Sequence, residues 1–368
     1  VQLFLAIRLS ATTRKTALNK NETLNDYSTL LKVGAGFCEE AISTVTVIGA
    51  DARDFLQRMT SQDWRKVANG QSAGCLLINP NGLLLFAFAG LNIAEQFNLL
   101  INSSESSGLA EALEKFHFTE DLEIKNLQQD FKFIRLILKT ALVGSTSAEL
   151  ALLAISPNII SKLMGEKNKL EPGNFFVKND FGYELLILRE EDLLAKENYL
   201  FRVSAAHFDE FIAKLQAVGA RQLAFDTFEL LKFEAGDFKL GRDISERCLV
   251  LEAPLDNSVS RNKGCYPGQE VVERIFTYSQ VAKKLVGFRF DKNQLESKIA
   301  KQKKLWLDSK EVGDITFMGE LPWSGEVLGR AVVKKPHYIS GQKLFSDAEN
   351  QNAIEVFELP NTFKISED

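Results

Sequence analysis

Apolar and β-branched residues alternate over positions 44–48, and the residues after them place Phe55, Leu56 and Met59 on one helical face. This pattern predicts a strand followed by a helix, with Asp51 positioned to cap it. Two apolar runs, 75–78 and 83–88, flank Asn79-Pro80-Asn81-Gly82, whose residue types favour a tight reversal and so predict a hairpin. Positions 97–101 read as a further strand. Ser103 to Ser107 offer caps for a helix carrying Leu109, Leu113 and Phe116.

The same order recurs further along. Residues 175–188 read as a hairpin turning near 179–182, residues 199–203 as a strand, and Phe208, Phe211, Ile212 and Leu215 as one face of a helix ending before Gly219. Asp226 with Glu229 has the spacing of a capping box for another helix reaching about Phe233. Beyond Gln280 the pattern changes to short strands at 285–290, 304–307, 312–317, 327–333 and 354–359, as in a small β-barrel. The fold class expected is α+β, with a duplicated strand-helix body at 1–280, built of two interleaved subdomains, and a barrel at 281–368.

Composition narrows the function classes. The chain has 368 residues, 45% of them hydrophobic, enough for ordinary cores without cross-links. Its 44 Lys+Arg against 49 Asp+Glu give a formal charge of -5, which argues against direct binding to nucleic acid or to an anionic membrane surface. Apolar stretches fall well short of the ~20 residues needed to span a bilayer, so a soluble protein is expected. Four scattered cysteines, Cys38, Cys75, Cys248 and Cys265, lack disulfide-framework spacing and favour a reducing compartment. No Cys-x2-Cys or His-x3-His pair occurs, which disfavours a zinc or iron-sulfur site of the chain's own. Residues 1–21 are basic and lack acids, a composition shared with some transit peptides, although a frayed basic start is the simpler reading.

Chemistry concentrates in Lys263-Gly264-Cys265-Tyr266-Pro267-Gly268-Gln269-Glu270, with Arg261 and Arg274 nearby. Lys263 and the arginines could stabilise a Cys265 thiolate, and Gly264 and Gly268 allow sharp turns or a close backbone approach. Gln269 and Glu270 can present amide and carboxylate groups to a flat hydrogen-bonding ring. The bland alternative for Cys265 is a small buried residue in a glycine-flanked turn; for Glu234 it is a carboxylate on a helix surface.

The octapeptide resembles the signature of the YgfZ-type folate-binding proteins, relatives of the glycine cleavage T-protein (aminomethyltransferase), where the corresponding run reads Lys-x-x-Phe-Ile-Gly. The resemblance extends from about Tyr27 to about Gln342. It includes the passage from Gly49 to Gln57, the turn Asn79-Pro80-Asn81-Gly82, the run Phe181-Gly182-Tyr183-Glu184-Leu185-Leu186, Phe233-Glu234-Ala235-Gly236 with Gly241-Arg242-Asp243, and Gly313-Asp314-Ile315-Thr316.

That resemblance implies an aminomethyltransferase-like fold that binds tetrahydrofolate or a one-carbon derivative, with Cys265 as the functional thiol at the rim of the folate site. It implies that Glu234 holds the pterin and that Lys263 or Arg274 meets the folate's glutamate tail, with Gly264, Tyr266, Gly268, Gln269 and Glu270 completing the signature. T-proteins carry a reactive aspartate in a Gly-x-x-Asp-Asp pattern, which here reads Gly82-Leu83-Leu84-Leu85-Phe86. Neither Leu85 nor Phe86 can accept a proton or stabilise a developing cation, so the inherited transfer has lost its polar group. The function implied is assembly or repair of iron-sulfur clusters, with iron-sulfur assembly proteins or client enzymes as partners and indirect effects on tRNA-modifying radical enzymes. The expected setting is a monomer in the cytoplasm, or in the mitochondrial matrix of a eukaryote. A folate-dependent aminomethyl or other one-carbon transferase, and a non-catalytic folate-bound scaffold, remain as alternatives.

Overall fold

A computed structural model describes residues 20–139, 162–163, 170–179, 181–193, 196–245, 247–278, 281–291, 303–348 and 353–359. The basic N-terminal stretch lies outside them apart from Lys20 and Asn21, as does residue 180 in the second hairpin's turn.

Helix α1 (Lys20–Val33) is followed by β1 (Ala35–Glu40), β2 (Ile42–Ile48), α2 (Ala52–Met59), the hairpin β3 (Ser72–Ile78) and β4 (Leu84–Ile93), β5 (Gln96–Asn102), α3 (Ser106–Glu114), β6 (Glu123–Asn126) and β7 (Phe131–Lys139). The order of hairpin, strand and helix then recurs in β8 (Phe175–Lys178), β9 (Leu185–Leu193), β10 (Lys196–Ser204) and α4 (Phe208–Ala217), ending in the short β11 (Arg221–Gln222). Helices α5 (Phe225–Glu234) and α6 (Gln269–Tyr278) precede β12 (Lys283–Asp291), β13 (Lys304–Leu307), β14 (Lys310–Glu320), β15 (Glu326–Lys334), β16 (Lys343–Phe345) and β17 (Ala353–Phe357).

The chain divides into two compact units. The larger, formed by the described residues of 33–222 and 245–281, holds two sheets ordered β3-β4-β5-β2-β6 and β11-β1-β7-β10-β9-β8. Helices α2 and α3 cover the first sheet through a core containing Phe55, Leu56, Trp64, Phe88, Phe97 and Leu113. Helix α4 covers the second through Phe201, Phe211 and Leu215. A third cluster, with Leu91 and Leu100 from one sheet and Phe133, Leu186, Leu188 and Leu200 from the other, joins the two. Strands buried on both faces explain why β5 is buried without interruption between its end residues rather than alternating.

The smaller unit takes the described residues of 20–32, 223–244 and 282–359. Its six strands β12-β15-β14-β13-β16-β17 close into a barrel around Val286, Phe288, Leu305, Ala331, Val333, Leu344 and Val356. The α+β class and the barrel hold as expected. The barrel shares its compact unit with α1 and α5, two segments from the part of the sequence read as the body.

Several local expectations are corrected. Asp51 takes a helical conformation and makes no side-chain cap; its carboxylate accepts the Asp121 amide at 2.8 Å. Asp226 and Glu229 form no capping box. Helix α5 instead starts at Phe225, and Asp26 of α1 accepts both the Ala224 amide at 2.7 Å and the Thr227 hydroxyl at 3.1 Å. Phe116 lies beyond the end of α3 and is exposed. Strands β1, β6, β7, β11 and β16 escaped the pattern reading.

Candidate functional site

In the larger unit the tail of α2 and the segment before the signature are fastened together. The Ser61 hydroxyl donates to the Ser258 carbonyl at 2.5 Å, the Ser260 amide to the Ser61 carbonyl at 2.9 Å, and the Asp63 amide to the Ser260 hydroxyl at 3.0 Å. Lys263 completes the joint. Its ammonium donates to the carbonyls of Gln57, Thr60 and Gln62 at 2.6, 2.5 and 2.8 Å, and it lies 5.0 Å from the centre of the Tyr266 ring. The Gln57 and Thr60 carbonyls lie at the C-terminal end of α2, where a cation complements the helix dipole and unsatisfied acceptors, and the Gln62 carbonyl lies just beyond it.

Lys263 therefore gives three hydrogen bonds to backbone carbonyls inside the protein. Burial lowers it to about 8, against the pull of Cys75 and Asp63. Cys75, on β3, is fully buried, and that burial raises its thiol to about 11 against the effects of Thr60 and Lys263.

Cys265 is exposed, whereas Cys38, Cys75 and Cys248 are buried. The structure also separates the two signature glycines. A Cβ on Gly264 would meet nothing within 4 Å. Gly268, at φ +79, would place a Cβ 2.4 Å from the Asn79 carbonyl oxygen in the first hairpin's turn. In that same turn, a Cβ on Gly82, at φ +76, would lie 2.5 Å from Cγ1 of Val271 in α6. Turn and signature thus interlock, each leaving space that the other fills.

Gln269 and Glu270 open α6, and Glu270 and Arg274 are both exposed. Tyr266 is 7% exposed, and its hydroxyl has no hydrogen-bond partner. The β3–β4 ladder slips between Leu77 and Ile78, pairing Leu77 with Phe86 and Ile78 with Leu84. Leu85 is left over as a bulge and is 41% exposed. This is the position where the sequence resemblance expects an aspartate, and bulges commonly re-aim such side chains.

In the smaller unit Glu234 is the last residue of α5. Gly236, at φ +99, turns the chain out of the helix, with its amide bonded to the Phe233 carbonyl at 3.1 Å and the Asp237 amide to the Lys232 carbonyl at 3.0 Å. This is a Schellman closure. Trp323, in the turn between β14 and β15, donates its indole N–H to Oε1 of Glu234 at 3.3 Å, while Tyr27 of α1 stacks on the indole at 4.3 Å and 8°. Burial, then the charge of Glu234, raises the Tyr27 phenol. Downstream, Arg242 pairs with the buried Asp243 at 2.5 Å and covers Phe317 at 4.1 Å. A half-buried carboxylate beside parallel aromatic planes suits a flat ring carrying N–H donors, such as a pterin.

Sequence reasoning passed over Tyr27 and Trp323. A tryptophan within Leu321-Pro322-Trp323-Ser324-Gly325, a turn with an aromatic residue at its tip, was the available signal. Among the described residues no three His, Cys, Asp or Glu side chains gather as a metal-binding group.

No protein-family model matches the chain. It is 25% identical over 293 residues to a chloroplastic protein of Arabidopsis thaliana whose name classes it with the transferases, covering 79% of this chain and 63% of that relative, less than two thirds of its length. It is 24% identical over 322 residues to an aminomethyltransferase of Chlorobaculum tepidum, covering 81% and 79%, and 22% identical over 308 residues to one of Lysinibacillus sphaericus, covering 82% and 78%. The crystal structure of the glycine cleavage system aminomethyltransferase T from Bartonella henselae superposes with a TM-score of 0.73 at 18% identity, covering 93% of this chain and 91% of that one. The chain has the aminomethyltransferase fold.

Proposed function

We propose that this protein binds tetrahydrofolate or a one-carbon derivative and acts, as the YgfZ-type proteins do, in the assembly or repair of iron-sulfur clusters in client enzymes, among them radical enzymes that modify tRNA. Glu234 accepts the pterin's N–H groups beside the Trp323 indole. Cys265 is the working thiol. A bound reduced folate would supply a carrier for one-carbon groups. The observation that carries the reading is the exposure of Cys265 against the burial of the other three cysteines, on a loop held by Lys263 and Gly268. The fold, and relatives named as aminomethyltransferases, support the folate. The cytoplasm or the mitochondrial matrix is the proposed compartment.

Two experiments test it. In cells lacking the protein, Cys265→Ala is expected to fail to restore four-iron enzyme activity and tRNA modification, while the purified variant still binds tetrahydrofolate. Full restoration would leave Cys265 structural and favour the scaffold reading. The names of the relatives favour a second possibility, one-carbon transfer from an amine. Turnover of an aminomethyl donor to methylene-tetrahydrofolate would establish that alternative, and the apolar Leu85 and Phe86 argue for none.

A further inference from the structure

Glu234 sits where a helix tolerates a carboxylate least. As the last residue of α5 it adds negative charge to the end of the helix where unpaired carbonyls already concentrate it. Arg330 lies against this end. It belongs to β15, is 0% exposed, and donates through Nη2 to the Phe233 carbonyl at 2.5 Å and the Asp237 carbonyl at 3.0 Å, on either side of Glu234. Nη1 donates to the Gly329 carbonyl at 3.2 Å, and the guanidinium covers the Phe233 ring at 4.2 Å. Its Nε has no partner.

Burying a guanidinium with one donor unmet costs stability, and an apolar residue would fill this barrel position more cheaply. What the arginine provides is a planar fork whose Nη2 holds the Phe233 and Asp237 carbonyls while Nη1 holds the Gly329 carbonyl of its own strand, tying the end of α5 to β15. Lysine can supply the charge but not the fork.

We propose that Arg330 is a positioning residue for Glu234, holding the end of α5 so that the carboxylate stays aimed at the ring of the ligand. The inference rests on the reading that Glu234 meets a folate ring, and its test separates the two. Binding of tetrahydrofolate and of p-aminobenzoyl-glutamate, which lacks the pterin, is measured for the wild type, Glu234→Gln, Arg330→Lys and the double variant, together with thermal unfolding. Arg330→Lys is expected to weaken tetrahydrofolate about tenfold, leave p-aminobenzoyl-glutamate unchanged, and add nothing to Glu234→Gln. Equal loss for both ligands, or no loss for either, would overturn the positioning role. Unchanged tetrahydrofolate binding in Glu234→Gln would overturn the ring assignment instead. If Arg330→Lys does not fold, amide exchange in the wild type decides. Tetrahydrofolate, and not p-aminobenzoyl-glutamate, should slow exchange at Ala235, Gly236 and Asp237, and equal slowing by both refutes the proposal.

Discussion

The carbonyl oxygen of Asn79 occupies the space where Gly268 would begin a side chain, 2.4 Å from an ideal Cβ. A backbone oxygen cannot move aside as a flexible side chain does, and Gly268 also holds a positive φ. Gly268→Ala should therefore lose more than the ~1 kcal/mol of an ordinary left-handed glycine, lowering the unfolding midpoint in urea. Gly264→Ala, which points a methyl into open space, should leave that midpoint within about 0.5 kcal/mol of wild type. Equal effects at the two positions would show that the interlock does not hold the loop.

Thiol exposure gives a direct count. Native protein treated with iodoacetamide should take one label, at Cys265, and denatured protein four. Cys265→Ala should take none when native. Labelling at Cys75 or Cys248 in the native state would contradict their burial.

The pH dependence of stability should carry the mark of Lys263. Its folded value of about 8 lies below the ordinary 10.5, so between these values the folded state has released a proton that the unfolded chain still holds. Stability should rise with pH through that window, and the cost of burying the charge should be fully present below about pH 8. Urea unfolding from pH 7.5 to 9.0 should show a rise of up to about 1 kcal/mol per pH unit, reduced by partial solvent screening. Lys263→Met should flatten the rise and lower stability overall, since three carbonyls lose their donor. The window stops at 9.0 because Cys75, raised from 9.0 to about 11, gives the opposite slope above it.

The cap of α5 distinguishes two aspartates. Asp26→Ala removes the acceptor for the Ala224 amide and the Thr227 hydroxyl and should cost about 1 kcal/mol in thermal or urea unfolding. Asp226→Asn should be neutral or mildly stabilising, because burial and the neighbouring Glu22 and Glu229 raise its carboxyl and disfavour its charge. The reverse ranking would restore the capping box suggested by the sequence.

Leu85 offers a test of tolerance rather than of loss. As an exposed bulge residue it should accept aspartate with a change in stability within about 0.5 kcal/mol. Leu84→Asp, at 1% exposure in the same strand, should cost several times more.

Much of the fold was legible because apolar periodicity records burial. The hairpin around Asn79-Pro80-Asn81-Gly82, the face of α4 and most barrel strands follow from that rule and from turn chemistry. Strand β11 was too short to carry a period, and β7 is a mixed run of apolar and basic residues. Both caps misread from the sequence had the right residue types, but one aspartate was claimed by a distant amide and the other was displaced by Asp26.

The candidate site divides along the same line. Read alone, the residues reveal most of the elements, a small C-terminal barrel, the concentration of unusual residues between Lys263 and Arg274, and a leucine, Leu85, where the resemblance expects an aspartate. Long-range contacts supplied the rest: Lys263 turns inward to carbonyls as many as 206 residues away, Gly268 and not Gly264 is sterically required, Cys265 is exposed while the other three cysteines are buried, Trp323 donates to Glu234, and Arg330 holds the Phe233 and Asp237 carbonyls on either side of it. Range separates the two. Propensity and periodicity act over one or two turns of chain, whereas the partner of a charge, the occupant of a glycine's missing side chain and the exposure of a thiol are set by segments that meet only when the chain has folded.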